Sequence, residues 1–183
     1  MEIFFYNSME DGKVYFYTST IYRWIPVLQD DNLKELILES LKFLIATKAV
    51  RLYGYVIMPN HIHLIIKPME NSKINRFQLS FMRFTAQNIK FFLQDNQSRL
   101  LIRFLVNKKD RKYQIWQRNS LAVEMISREM CEQKLDYIHD NPVQGKWMLA
   151  DSPVEYKYSS SRYYEEDAHN EYPFLTHYMD EFS

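Results

Sequence analysis

Two apolar runs separated by one turn dipeptide constrain this chain more than any other feature. Arg51 to Met58 and Ile62 to Lys67 are dense in aliphatic and aromatic residues, and Pro59-Asn60 between them is a turn-forming pair, so the runs read as two strands of a hairpin. Pro59 is equally compatible with an edge or a bulge. Upstream, Lys13 to Thr20 is rich in aromatic and β-branched residues and reads as a first strand. Asp30 and Asp31 suit a helix N-cap, and Leu33, Ile37, Leu41, Leu44 and Ile45 recur at three- and four-residue intervals, which predicts an amphipathic helix from about Asn32 to Lys48. A second long helix is expected over Asn75 to Leu93 and a fourth strand over Ile115 to Ile126. Ser127 reads as the N-cap of a third helix reaching about His139, stopped by Asn141-Pro142. Strand, helix, strand, strand, helix, strand, helix is the order of an α+β, ferredoxin-like antiparallel sheet with helices packed on it. The Tyr-rich stretch after Pro142 reads as an irregular C-terminal extension over 143–183, packed on a domain over 1–142.

At 183 residues the chain fits one domain with a proper core, and 46% hydrophobic residues with 3 glycines mark a globular composition. The lone Cys131 excludes an intrachain disulfide framework and a Cys-rich zinc module, in keeping with a reducing cytoplasm. No run approaches the ~20 apolar residues of a membrane span, so the expectation is a soluble, cytoplasmic protein with no membrane partner. The formal net charge is zero, which does not by itself mark a nucleic-acid binder. Its distribution is uneven. Arg99, Arg103, Lys108, Lys109, Arg111, Lys112 and Arg118 crowd one stretch against Asp110 alone, while the segment from Glu165 to Glu181 is acidic and has no Lys or Arg. A basic stretch can follow a phosphate backbone through counterion release, and equally it can be plain solvated surface.

At the entry to the second apolar run lies His61-Ile62-His63. On a strand, residues two apart project from one face, so two imidazoles stand side by side while Ile62 points into the opposite layer. Two neutral imidazoles so placed make half of a metal site. Oxygen ligands and water would complete it for Mg²⁺ or Mn²⁺ at a phosphate, and further nitrogen ligands would complete it for zinc.

The run Gly54 to Ile66, with Pro59-Asn60-His61-Ile62-His63 at its centre, resembles the histidine–hydrophobe–histidine motif of the single-tyrosine transposases of the IS200-like type, and among them the REP-associated tyrosine transposases. Ile115-Trp116-Gln117-Arg118 resembles that family's Trp-Gln-Arg signature. Tyr137-Ile138-His139-Asp140-Asn141-Pro142-Val143 resembles its Tyr-Ile-His-x-Asn-Pro-Val block, and Tyr156-Lys157-Tyr158-Ser159-Ser160 its Tyr-x-x-Ser-Ser segment. The resemblance implies a metal-dependent DNA endonuclease and strand transferase. A tyrosine hydroxyl attacks a phosphate of single-stranded or hairpin DNA, with a divalent metal, Mg²⁺ or Mn²⁺, on the histidine pair. It implies monomers or homodimers, both of which occur in the family.

Two registers are open for the nucleophile. In one, Tyr137 attacks and Asn141, four residues on and on the same helix face, is a third, oxygen ligand. In the other, the tyrosine belongs just after Trp-Gln-Arg, where this chain has Asn119 and Ser120. Cleavage would then be lost and the protein would be a domesticated nucleic-acid-binding module, with Glu124 an available carboxylate near the metal. A phosphodiesterase using water in place of tyrosine is a third reading. Candidate phosphate contacts are Arg76, Arg83, Lys108, Lys109, Arg111, Lys112 and Arg118. Phe77, Phe81, Phe84, Phe91 and Phe92 at helical spacing are core first and stacking surfaces second.

Overall fold

The computed structural model describes residues 9–69, 75–118 and 120–182, and of residues 75, 76, 78, 79 and 107 only the backbone. In chain order the regular elements are β1 (Tyr15–Thr20), α1 (Asp31–Ala46), β2 (Val50–Met58), β3 (His61–Pro68), α2 (Asn75–Asp95), β4 (Leu105–Lys108), β5 (Arg111–Tyr113), β6 (Leu121–Glu124), α3 (Arg128–Asp140) and the single turn α4 (Ser161–Glu165). The sheet runs β2-β3-β1-β6 with each neighbouring pair antiparallel, which is the ferredoxin-like order expected from the sequence. Asp30 caps α1 through a side-chain bond from Asn32 N–H, and Ser127 caps α3 through one from Met130 N–H.

The strand pleat separates two layers. Ile62, Leu64 and Ile66 of β3 are fully buried and alternate with the two histidines, so one face of the sheet packs under α1 and α2 while the other carries His61 and His63. Ser19, in register with Ile62, contacts Met82 of α2, which identifies that face. On the second face α3 crosses β2 at Gly54. A Cβ at that position would stand 2.6 Å from Leu135 Cδ2 and 3.1 Å from Ile138 Cδ1, so the absence of a side chain is what lets the helix close on the strand.

One expected strand is corrected. Ile115 to Ile126 is not one strand: Trp116 makes an isolated bridge to Ile21, and only Leu121–Glu124 joins the ladder with β1. The Trp116 indole is buried and donates to Thr85 of α2, while Gln117 N–H donates to Thr20 O before the ladder resumes at Leu121. The basic stretch holds a further pair of strands. Leu105–Lys108 and Arg111–Tyr113 pair as a hairpin that is anchored by the buried Phe104, whose carbonyl accepts from Gln114 N–H.

Residues beyond α3 run along the open edge of β2. Ile57 N–H donates to Tyr158 O, Ser160 N–H to Tyr55 O and Thr176 N–H to Leu52 O. Glu181 closes the segment by bonding to Lys67 and accepting from the Tyr53 hydroxyl. His139 of α3 meets the same segment, its Nε2 lying 2.9 Å from Ser160 Oγ. Branched bulk at Gly54 should therefore strain the α3 contact: Gly54→Val is expected to destabilise the fold by about 1–3 kcal/mol in urea unfolding, the range for overpacked cores. A wild-type midpoint would mean that α3 does not rest on β2 so closely.

Candidate active site

Strand register brings the histidines together. His63 pairs with Thr18 and Val56, His61 with Thr20 and Met58, and the two imidazole centroids are 4.8 Å apart with ring planes at 72°. Each ring is held by its Nδ1. Asn60 donates its amide to the Trp24 carbonyl at 3.2 Å, which turns its Oδ1 toward His61 Nδ1 at 2.7 Å. That oxygen can only accept, so His61 carries its proton on Nδ1 and presents a lone pair at Nε2. The lone pair faces Asn141 Oδ1 at 3.3 Å, an acceptor opposite an acceptor, which is an arrangement suited to a shared cation. His63 Nδ1 lies 2.7 Å from Thr18 Oγ1, and its ring stacks on Phe16 at 5.3 Å. His63 Nε2 is buried without a hydrogen-bond partner, as a nitrogen held ready for a ligand would be.

Burial lowers the proton affinity of both rings. His61 is pushed down to about 4, with Asn141 opposing the shift, and His63 to about 3, with His61 and Lys134 adding repulsion to burial. Both are neutral at pH 7 and competent as ligands. Among the described residues no cluster of three or more His, Cys, Asp or Glu could hold a metal. Among the described residues, the atoms here that could face a cation are two imidazole nitrogens and an amide oxygen, a donor set that would need further oxygen ligands to complete a Mg²⁺ or Mn²⁺ site.

α3 supplies the other parts. The Tyr137 ring is 5.3 Å from His63 and 6.0 Å from Phe16, and the residue is 49% exposed. Asn141 follows one helical turn later on the same side. Lys134, a turn earlier, places its ammonium over both the Phe16 and Tyr137 rings, at 5.0 and 5.6 Å. His139 faces away, as its two-residue offset from Tyr137 predicts, and burial pushes it down to about 4.

Of the second register only Ser120 is described, and its hydroxyl does not bond to either histidine. Ser120 bonds to the Tyr17 and Ser19 hydroxyls on the α2 side of the sheet, and Asn119 lies outside the described residues. Glu124, once a candidate near the metal, is corrected: it pairs with Tyr15, whose side chain alternates with Phe16, and its carboxylate binds Lys13 at 3.2 Å on the face away from the histidines. Arg83 is exposed on α2, and Lys108, Lys109 and Lys112 are exposed on the β4–β5 hairpin. Arg111 and Arg118 converge on Asp110 at 2.7 and 3.2 Å. The side chain of Arg76 lies outside the described residues. On α2, Phe77 and Phe81 are buried and stacked at 5.5 Å, whereas Phe84 and Phe91 are exposed. Sequence reasoning missed Thr18, Asn60 and Trp24 around the histidines. Asn60 was readable as an amide beside a candidate ligand; Thr18 and Trp24 reach the site only through pairing and a loop.

The family described as "Transposase IS200 like" matches residues 9–141. Among solved structures, a REP-associated tyrosine transposase bound to a REP hairpin is 16% identical, with 96% of this chain and 91% of that chain covered and a TM-score of 0.62, which shows a shared fold. A Deinococcus radiodurans chain described as a candidate transposase is 14% identical, with 72% of this chain and 97% of that one covered and a TM-score of 0.47. No curated protein matches.

The three buried histidines imply an acid-sensitive fold. With folded values near 4, 3 and 4 for His61, His63 and His139, against an ordinary value near 6.5, the unfolded chain binds more protons between pH 6.5 and about 4. Stability is then full above pH 6.5 and falls as pH drops through that window, at up to about 1.4 kcal/mol per pH unit for each histidine. Urea unfolding in chelator from pH 7.5 to 5 should show this slope, reduced by about one proton in His139→Gln; a flat profile would contradict the burial of the rings.

Proposed function

The chain belongs to the IS200-like transposase family, and from that membership we propose that it nicks and rejoins single-stranded or hairpin DNA with Tyr137 as nucleophile. His61 and His63 would hold a divalent metal, Mg²⁺ or Mn²⁺, with Asn141 Oδ1 as a third donor. The observation that carries this reading is the convergence of His61, His63, Tyr137 and Asn141, contributed by β3 and the end of α3, on one face of the sheet. When bound, the metal would polarise the scissile phosphate and neutralise charge that builds on its oxygens.

The residues of the chain do the rest. Asn60 and Thr18 fix the two imidazoles through Nδ1, leaving both Nε2 atoms for the ligand. Phe16 and Lys134 hold the Tyr137 ring beside His63. Tyr137 Oη bonds to phosphorus as the P–O3′ bond breaks; the phenolic proton passes to solvent, and the departing 3′ oxygen takes a proton to become a hydroxyl. The phosphodiester energy is kept in the 5′-phosphotyrosine link, so the reverse reaction joins a new 3′ end. A protein of the same fold is bound to a REP hairpin, which supports hairpin DNA as the substrate. Arg83, the β4–β5 lysines, Arg111 and Arg118 would follow its backbone, with Arg76 proposed on sequence alone.

The test is incubation with labelled hairpin-bearing single-stranded DNA and Mn²⁺, followed by denaturing electrophoresis. The expected result is a protein–DNA adduct that Tyr137→Phe abolishes. Removing the metal with chelator, or His61→Ala, should slow adduct formation about a hundredfold or more, because several kcal/mol of charge stabilisation are lost. Cut DNA without an adduct would indicate attack by water, and bound but intact DNA in every condition would indicate a domesticated binder.

A further inference from the structure

Trp24 stands out beside the histidines. Its indole is 57% exposed, although it lies 6.1 Å from the His61 ring in an edge-on contact. A large aromatic left in solvent at the rim of a buried polar site is not serving the core. Its backbone is also held in an uncommon state, since Arg23 and Trp24 both have left-handed torsions, φ 54 and 57, without being glycine. Consecutive strained residues persist only where their surroundings fix them. Here Trp24 N–H donates to Ile21 O, Tyr22 N–H donates to Ile115 O, and the Trp24 carbonyl accepts from Asn60, the same amide that orients His61. The loop is thereby fixed to the ligand pair. Arg23 is exposed beside it, with its guanidinium 5.1 Å from the Tyr22 ring centroid.

The ring contacts succeed one another from loop to helix: Trp24 to His61 at 6.1 Å, His61 to His63 at 4.8 Å, His63 to Tyr137 at 5.3 Å. An in-line displacement puts the departing oxygen opposite the attacking one. With Tyr137 beside His63, a departing strand that leaves past His61 would meet the indole.

We propose that Trp24 is a stacking platform for an unpaired nucleobase, that of the nucleotide carrying the departing 3′ oxygen. Any base offers a π face, so the platform selects single strands over duplex without reading sequence. Only the assignment to that side of the phosphate rests on the cleavage reading.

The test measures anisotropy of labelled oligo(dT), and of a duplex of equal length, with the Tyr137→Phe protein so that no covalent link forms. Adding Trp24→Ala should weaken oligo(dT) binding about 5- to 100-fold, as loss of one stacked base does, and leave duplex binding unchanged, while Trp24→Phe restores most of the loss. A 2-aminopurine scan along a hairpin-bearing strand should then reveal a quenched position that Trp24→Ala alone releases. Unchanged oligo(dT) affinity in Trp24→Ala, an equal loss on duplex, or no binding of oligo(dT) by the parent overturns the platform. If the wild type forms the adduct and Trp24→Ala binds normally, only the platform fails. If no adduct forms but Trp24→Ala selectively loses oligo(dT), cleavage fails and the platform stands as part of a single-strand-binding surface.

Discussion

Pairing of Thr18 with His63 and of Thr20 with His61 turns both imidazoles toward α3, and a slip of one residue would bury them among α1 and α2 and bring Ile62 and Leu64 out. Three fully buried aliphatic residues, Ile62, Leu64 and Ile66, oppose that slip, each worth roughly 1.5–3 kcal/mol of burial. The polar half of the strand is thus positioned by its apolar half. Everything else in the site is referred to this register. Thr18 reaches His63 because it is directly opposite, Phe16 stacks on the same ring from two residues along, and Tyr137 arrives because α3 can approach β2 at Gly54.

The elements with one strong period were legible in the sequence. The apolar runs around Pro59-Asn60, the stripe from Leu33 to Ile45 and the Ser127 cap specify their structures locally, so strand order and the facing of the histidine pair followed. Where a segment answers to two layers, local pattern fails. Ile115 to Ile126 is apolar at both ends, yet Trp116 is claimed by α2 and Leu121–Glu124 by β1. The β4–β5 hairpin was hidden by its charge, since lysines and arginines report solvent exposure rather than backbone pairing. Glu124 illustrates a parity problem: a residue is assigned to a face only when the strand's pairing partner is known. For Trp24 no periodic signal exists, because its position depends on two unusual backbone torsions and on an amide from another turn.

Asn60 joins parts that look independent. One amide group sets the tautomer of His61 with its oxygen and holds the Trp24 loop with its nitrogen. Its own backbone carbonyl accepts from Ile21 N–H, so the turn after β2 is fastened to the end of β1 as well. Movement of the loop and reorientation of the imidazole are therefore not separable events.

The edge of β2 is closed by residues that come late in the chain. Tyr158, Ser160 and Thr176 satisfy backbone groups that a sheet without them would offer to any passing strand. During synthesis that edge stays open until the stretch from Tyr158 to Thr176 has followed α3, at about 5–20 residues per second. For those seconds the sheet would be an open template for self-association, sealed only when the acidic, aromatic tail folds back.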